Sequence, residues 1–312
     1  GIIVRFREHK IALSADIEAM FLQVAVPVDD SRCLRFLWRE TPEQRIDVYE
    51  YTRHVFGAKS SPTCANYALH QVARDNAKND EALVKTVQRN FYMDDFLKSV
   101  KTSQEGIDVY HRVREVLSKG GFKLTKWITS DEDVKSQIPE EDRSANAVKT
   151  LEVEPQSSSI LGLNWNVDSD SLVVCRGIDQ EIPAKITQRV VLSFVSAVFD
   201  PIGICSPFTI RMRFLLKSIW ASMGQSWDKE LSAEHVKVFK DWCSELQEIR
   251  TMSINRLYFD SGCTSLRLHV FTDASEEAMC IVAYLLDDTT LKLSYVIGKC
   301  RVAPIRHVTI PK

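Results

Sequence analysis

The stretch Arg89–Val100, with the sequence RNFYMDDFLKSV, sets two adjacent carboxylates between apolar and aromatic residues typical of strands. Side chains alternate between the two faces of a strand, so neighbouring acids share one site only where a tight turn interrupts it. We therefore predict a hairpin with Asp94 and Asp95 at its turn. Negative charge concentrated at such a tip favours a bound cation. The alternative from these residues alone is a solvated turn without a ligand.

The segments around this hairpin predict helices on one face of an antiparallel sheet. Ile11–Asp16 has the pattern of a buried strand that ends on an acid, and Arg35–Arg39 and Ile46–Tyr51 alternate like paired strands. Ser61-Pro62 predicts the start of a helix with the serine as N-cap, and a capping box at Thr102 opens another helix. This order of elements predicts an α+β fold.

The composition is that of a globular protein without a strong charge bias. The formal net charge of -2 lacks the large positive excess usual in small nucleic-acid-binding domains. The sequence contains no apolar run of membrane-spanning length and no signal peptide. The eight cysteines show no metal-binding spacing, which predicts reduced structural thiols. We expect an intracellular, cytoplasmic protein without a membrane partner, and association with a particle remains an alternative.

Three segments resemble the palm motifs of reverse transcriptases and follow one another in the family's order. Asp16–Phe21 resembles motif A, Phe56–Pro62 resembles motif B, and Tyr92–Asp95 has the sequence of motif C. The resemblance implies a reverse-transcriptase palm, an antiparallel sheet with helices on one face.

Further segments extend the resemblance over most of the chain. Gly121–Trp127 resembles motif D, and Leu161–Trp165 resembles the primer-gripping motif E. The stretches Leu192–Gly203 and Phe271–Ser275 resemble polyproteins of Pao/BEL-type LTR retrotransposons. After the palm, the resemblance implies thumb- or connection-like helices and a truncated α/β start of a ribonuclease H-like domain.

The resemblance implies an RNA-directed DNA polymerase that adds dNTPs to a primer 3′-hydroxyl by two-metal nucleotidyl transfer. The implied ions are two Mg²⁺, with Mn²⁺ as an alternative, and the implied ligands are Asp16, Asp94 and Asp95. Carboxylate oxygens suit such hard ions, and two ions can stabilise the entering and the leaving oxygens. The implied partners are an RNA or DNA template with its primer, dNTPs and the rest of a polyprotein.

The resemblance also assigns roles to residues around these acids. Phe21 is expected to be a steric gate that excludes a ribose 2′-hydroxyl, and Lys126 is expected to donate a proton to pyrophosphate. The expected nucleotide-binding residues are Phe21, Gly57, Lys59, Ser61, Pro62, Tyr92, Met93 and Lys126. The expected primer-grip residues are Leu161, Gly162 and Trp165.

We expect four regions along the chain. Residues 1–130 are expected to be the palm without most of the fingers, because fifteen residues precede Asp16. Residues 131–159, which are acidic and poor in large apolar groups, are expected to be a flexible connector. Residues 160–265 are expected to hold the primer grip and the helical thumb- or connection-like region. Residues 266–312 are expected to be truncated ribonuclease H-like strands, so that the chain is part of a longer polyprotein.

The sequence also predicts a vestigial second acidic site and leaves open two alternatives to an active polymerase. Asp273 resembles the first of four ribonuclease H carboxylates, but one acid cannot hold two ions, so we expect a vestigial site without ribonuclease H activity. The turn Asp260-Ser261-Gly262 resembles that of retroviral aspartic peptidases, which makes a Pao-type peptidase region one alternative. The other alternative is an inactive remnant of the element that at most binds nucleic acid.

Overall fold

The computed structural model of the protein describes residues 1–144, 157–160, 163–173, 181–224, 226–249, 252–260, 263 and 265–304. The chain forms two compact units, Gly1–Val153 and Glu154–Lys312. Each unit has its own buried cluster of hydrophobic side chains. Within the part of the chain that the structure describes, no helix is both long and apolar enough to cross a membrane.

A four-stranded antiparallel sheet forms the centre of unit 1. Its strand order is β4-β5-β1-β6, with β1 at Ile11–Ile17, β4 at Phe91–Tyr92, β5 at Asp95–Val100 and β6 at Leu124–Thr129. β1 lies between β5 and β6 and is buried at five of its seven positions. The predicted strand that ends on an acid is therefore an inner strand, and its last residues lie beside the hairpin of β4 and β5.

Helices pack against this sheet through small and aromatic side chains. Ala65, Leu69 and Ala73 of α4 and Tyr110 of α6 are fully buried in the unit 1 core. The helices of unit 1 are α1 (Ile2–Phe6), α2 (Met20–Gln23), α3 (Val28–Ser31), α4 (Ser61–Asn76), α5 (Glu81–Asn90), α6 (Ser103–Ser118) and α7 (Glu132–Ser136). Two short 3-10 helices lie at Arg32–Leu34 and Glu140–Asp142. The predicted α+β fold is confirmed.

The ends of these helices show where local sequence signals act. Thr102 accepts a hydrogen bond from the Glu105 amide at 3.2 Å, so the predicted cap of α6 is confirmed. The predicted cap of α4 was wrong by one residue: Ser60 is the N-cap, and Ser61 begins the helix with its side chain buried. α5, which Asp80 caps through the Leu83 amide at 3.1 Å, is absent from the elements predicted above.

An exposed two-stranded ribbon separates α3 from α4. β2 (Arg35–Trp38) pairs antiparallel with β3 (Asp47–Glu50), which confirms the predicted strand pair. The ring of Phe36 stacks on that of Tyr49 with centroids 5.8 Å apart. Aromatic pairs across neighbouring strands stabilise such ribbons.

Residues 131–144 are packed into unit 1, so the prediction of a flexible connector was wrong for them. Val134 and Ile138 lie in the unit 1 core. The acids of this segment hold it in place: Asp131 caps α7 through the Val134 amide at 3.0 Å, and Asp142 forms an ion pair with Arg114 at 2.9 Å. Residues 145–156 of the predicted connector lie outside the described residues.

Unit 2 begins with a second antiparallel sheet. Its strand order is β10-β9-β8-β7, with β7 at Ser157–Ile160, β8 at Leu163–Asn166, β9 at Ser171–Val173 and β10 at Ser253–Asn255. The guanidinium of Arg256 is buried and donates to both oxygens of Asp170, at 2.6 and 2.8 Å. This bidentate pair joins the turn after β8 to the end of β10.

Three helices and a meander of three strands complete unit 2. α8 (Gln188–Ala197), α9 (Ser206–Met223) and α10 (Ala233–Ile249) enclose its hydrophobic core and lie where the sequence predicts helices. The meander consists of β11 (Leu266–Ala274), β12 (Ala278–Asp287) and β13 (Leu293–Val302). β11 is the strand that the sequence predicts from residue 266.

Hydrogen bonds hold the loop between α8 and α9 in shape from within and also attach it to β13. The carboxylate of Asp200 accepts hydrogen bonds from the backbone amides of residues 203–205 at 2.8 to 3.1 Å. The carbonyl of Ile202 accepts from the Gly298 amide at 2.8 Å and from the Tyr295 hydroxyl at 2.9 Å. Gly203 has a φ of +79° and lies against the Gly298 backbone, where a side chain has no room. The loop between α8 and α9 is therefore a well-defined turn that docks on β13.

Candidate active site

The last residues of β1 lie directly beside the turn of the Asp94-Asp95 hairpin. Asp16 and Asp95 are register partners on the antiparallel strands β1 and β5. Directly opposed residues of an antiparallel pair project from the same face, so these carboxylates share one side of the sheet. The Ile17 amide donates to the Asp94 carbonyl at 2.9 Å, which joins β1 to the turn itself. Met93 adopts a positive φ of 55°, which reverses the chain between β4 and β5.

The Asp16 carboxylate is poorly solvated and lies near other negative charges. Burial raises its pKa, and the charges of Asp94 and Glu18 raise it further, whereas the Lys126 ammonium lowers it. A carboxylate that is destabilised by burial and by neighbouring acids gains stability from any added cation. Such a perturbed acid in a cluster is typical of a functional site.

Lys126 is the charge partner of Asp16. Its Nζ lies 3.4 Å from Asp16 Oδ1. The pairing of β1 with β6 shifts register between Ser14 and Asp16, and Lys126 at this bulge has a positive φ of 54°. Bulges redirect side chains, and this one places the ammonium beside the acid cluster.

Phe21 lies in α2, the helix that follows β1 and Asp16, and contacts a second aromatic ring. Its ring centroid is 5.0 Å from that of Phe56, and the two rings meet edge to face. Phe21 also packs against the unit 1 core, whereas Phe56 is 76% exposed. Phe56 is not among the predicted site residues, although it directly precedes Gly57 in the segment that resembles motif B.

The motif B residues divide into exposed and buried positions. Gly57 has a φ of +89° with open space around it, and Lys59 is exposed. Ser61 is fully buried, and its Oγ lies 3.2 Å from Nδ1 of His54. Ser61 therefore supports the start of α4 from inside. Among the remaining predicted contacts, Pro62 is half-buried, whereas Tyr92 and Met93 are exposed at the hairpin.

Two family models match separate parts of the chain. Residues 2–127 match the model of reverse transcriptase, described as RNA-dependent DNA polymerase. Residues 187–312 match the model of the Pao retrotransposon-like RNaseH-like domain. The chain is thus similar to a reverse transcriptase domain in its first part and to a Pao-type RNase H-like domain in its last part. The Pao-type match begins at residue 187, so it covers α8 to α10 as well as the meander.

Solved structures support the reverse transcriptase fold. The foamy viral protease-reverse transcriptase in complex with an RNA/DNA hybrid has a TM-score of 0.55 and 13% identity over 98% of this chain and 35% of that chain. The foamy viral protease-reverse transcriptase dRH in complex with double-stranded DNA has a TM-score of 0.55 and 15% identity over 97% of this chain and 44% of that chain. The chain thus spans less than half the length of these proteins. No curated protein matches it.

The predicted site residues outside the reverse transcriptase domain lie in unit 2. Trp165 is fully buried, and its indole donates to Asp170 Oδ1 at 3.0 Å, while Leu161 and Gly162 lie outside the described residues. Asp273 is exposed on β11 of the Pao-type domain, opposite Cys280 on β12. Asp260 is exposed, and Ser261 and Gly262 of the predicted peptidase turn lie outside the described residues.

The acid cluster of the reverse transcriptase domain fits divalent ions in its chemistry. Asp16 and Asp95 are register partners on one face of the sheet, and the Asp94 charge acts on Asp16, so the three acids lie in the same part of the fold. Hard ions prefer carboxylate oxygens. Within the described ranges, no three such side chains are already close enough to form a complete metal site. These carboxylates are ligands of the type that divalent ions such as Mg²⁺ prefer. Lys126 is the positively charged group beside Asp16.

Proposed function

We propose that this protein is the RNA-directed DNA polymerase portion of a retrotransposon polyprotein. The observation that carries the proposal is the register of β1 against the hairpin, which sets Asp16 opposite Asp95 and joins Ile17 to Asp94. Acids about 80 residues apart in the sequence thereby share one site, as a two-metal polymerase requires. The reverse transcriptase family match over the same residues supports it.

In this proposal, Asp16, Asp94 and Asp95 hold two Mg²⁺ ions, with Mn²⁺ as an alternative. When bound, the ions activate the primer hydroxyl and stabilise the charge on the leaving pyrophosphate. The raised pKa of Asp16 supports this assignment, because the site disfavours the charged carboxylate until a cation binds. Lys126, whose ammonium lies in the same site, is the proposed proton donor to pyrophosphate.

The substrates follow from the groups around the acids. The edge-to-face pair of Phe21 and Phe56 offers an apolar surface for the sugar of an incoming nucleotide. We assign Phe21 as the gate that favours dNTPs over ribonucleotides. The template and primer are RNA or DNA, in line with the nucleic acids bound by the two foamy viral proteins. Because dNTPs are intracellular substrates, we also propose an intracellular, cytoplasmic location for this part of the polyprotein.

A primer-extension assay tests the proposal. The chain is incubated with template-primer, dNTPs and Mg²⁺, beside an Asp94→Asn variant that loses one carboxylate charge. We expect extension by the wild type and a loss of about 10³-fold or more in the variant, because catalysis of this kind depends on charge stabilisation. Asp108→Asn is the matched control, since Asp108 is an exposed acid of α6 whose carboxylate accepts from Gln104.

The outcomes separate the proposal from its rivals. Equal extension by the wild type and the Asp94→Asn variant would show that the signal is not due to this site. Binding of template-primer without extension, with unchanged binding by Asp94→Asn, would favour an inactive remnant. We expect the Asp108→Asn control to extend primers like the wild type.

A further inference from the structure

Two cysteines of unit 2 face each other across neighbouring strands. Cys280 on β12 and Cys300 on β13 are register partners, and the Cys280 thiol donates to Cys300 Sγ at a distance of 2.9 Å. Both belong to the free cysteines among the described residues. A contact this close between two thiols sets them apart from the scattered structural cysteines that the composition predicts.

The strand pairing itself brings these residues within reach of a disulfide bond. Directly opposed residues of an antiparallel pair have Cα atoms about 4.5–5.5 Å apart and project from the same face. A disulfide needs Cα atoms about 4.4–6.8 Å apart. The two ranges overlap, so the bond requires rotation of the side chains and leaves the ladder of β12 and β13 in place.

The pair is accessible from a cavity inside unit 2. A cavity of about 800 Å³ lies between α9 and one face of the meander, and Asp273, Cys280 and Cys300 line it. Cys280 is exposed, and Cys300 is half-buried. Burial, followed by the hydrogen bond from Cys280, raises the pKa of Cys300 to about 11. Cys280 is therefore the thiol that meets a reagent from solution first.

We propose that Cys280 and Cys300 form a reversible redox modification site that a low-molecular-weight disulfide, such as glutathione disulfide, converts to an intrachain disulfide. Cys280 as thiolate attacks one sulfur of the reagent, which breaks the reagent's S–S bond and releases one glutathione thiolate. Cys300 as thiolate then attacks the mixed disulfide on Cys280 and releases the second glutathione. Two protein thiols lose two electrons and two protons in total, and one glutathione disulfide becomes two glutathione molecules.

The modification would lie next to the predicted ribonuclease H acid. Asp273 on β11 is the register partner of Cys280, so Asp273, Cys280 and Cys300 form one row across the three strands. The bond would tie β12 to β13 within that row. The inference depends on unit 2 alone and is independent of the proposed polymerase activity.

Thiol trapping of the full chain tests the proposal. The reduced protein is equilibrated in buffers of increasing glutathione disulfide to glutathione ratio, alkylated, and analysed by intact mass and by peptide mapping without reduction. We expect the loss of two alkylatable thiols per chain, a linked peptide that contains Cys280 and Cys300, and full reversal by dithiothreitol. The linked peptide should exceed any other cysteine pair by at least about tenfold, because proximity raises the effective concentration of the second thiol.

Serine variants test whether Cys280 and Cys300 are the two residues that become linked. We expect no linked peptide in either Cys280→Ser or Cys300→Ser. Cys300→Ser should keep a persistent glutathione adduct on the exposed Cys280, whereas Cys280→Ser should show much less adduct on the half-buried Cys300. Cys33→Ser is the matched control, because it removes an exposed cysteine of unit 1 and should leave the linked peptide unchanged. Wild-type protein that keeps both thiols, or that carries glutathione on them without a link, would overturn the proposal.

Discussion

The side chain of Asp16 shows how the candidate site disfavours the charged form of one of its own acids. Its carboxylate is partly buried and lies near Asp94 and Glu18, and the Lys126 ammonium partly offsets the resulting rise of its pKa. Burial of this kind disfavours the charged form of a carboxylate. The strand keeps an acid where local stability disfavours one, which is expected at sites that bind a cation.

The pH dependence of stability measures this cost. Because burial raises the pKa of Asp16, the folded protein binds a proton there more tightly than the unfolded chain. Its contribution to the unfolding free energy is therefore greatest at low pH and falls as the pH rises above about 3.9. An Asp16→Asn variant lacks this titration, so its unfolding free energy relative to the wild type should increase from about pH 3 to about pH 7. Urea denaturation at both pH values checks this, and a constant difference would contradict it.

The prediction about substrate choice concerns the ring of Phe21. A Phe21→Val variant shortens the side chain beside Phe56 and opens space for a ribose 2′-hydroxyl. We expect its preference for dNTPs over ribonucleotides to fall by about 10–200-fold, the usual range for one pocket contact. Single-nucleotide incorporation with each substrate measures the ratio. Phe36→Val on the exposed ribbon is the control, and an equal fall there would remove Phe21 as the gate.

At the scale of elements, the local signals decided what the sequence could predict. The strands β1, β2 and β3, the cap of α6 and the hairpin of β4 and β5 follow from alternation, capping residues and turn position. α5 was missed because its last residues run directly into β4, so that Arg89-Asn90 was grouped with the strand. The segment 131–144 was mistaken for a connector because its acids act as a cap and as an ion-pair partner, which composition does not reveal.

In the candidate site too, some features follow from the sequence and others depend on tertiary packing. The sequence singled out Asp16, Asp94 and Lys126, and the structure places them together. The contact of Phe21 with Phe56 was not predicted, because it depends on how the chain after β3 returns to α2. Likewise, the burial of Ser61 against His54 depends on tertiary packing and has no local sequence signal.

The turn between α8 and α9 gives a prediction at the element scale. In a Gly203→Ala variant, the new Cβ meets the Gly298 backbone and the positive φ of +79° is retained, so we expect a loss of about 2–4 kcal/mol in unfolding free energy. Gly121→Ala at the end of α6, with a φ of +80° and open space, is the control for backbone conformation alone and should cost about 1 kcal/mol. Urea unfolding followed by circular dichroism compares them. Equal costs would mean that the docking on β13 contributes nothing.

At the scale of the whole molecule, the two hydrophobic cores share no residue. A destabilising substitution in one core should therefore leave the other unit folded. The unit 1 cluster draws on residues between 11 and 138, and the unit 2 cluster on residues between 186 and 246. Domains with their own core can fold and open independently. A chain organised this way allows unit 1 and unit 2 to lose stability separately.

Paired core truncations test this independence. Leu13 is fully buried in unit 1 and Leu246 is buried in unit 2, so each change to alanine should cost about 2–5 kcal/mol in its own unit. Hydrogen exchange followed by mass spectrometry resolves the effect along the chain. We expect Leu13→Ala to speed exchange in the sheet of β1, β5 and β6 and to leave α8 to α10 protected, with the reverse for Leu246→Ala. Faster exchange spread over both units by either variant would mean that the chain opens as one cooperative body.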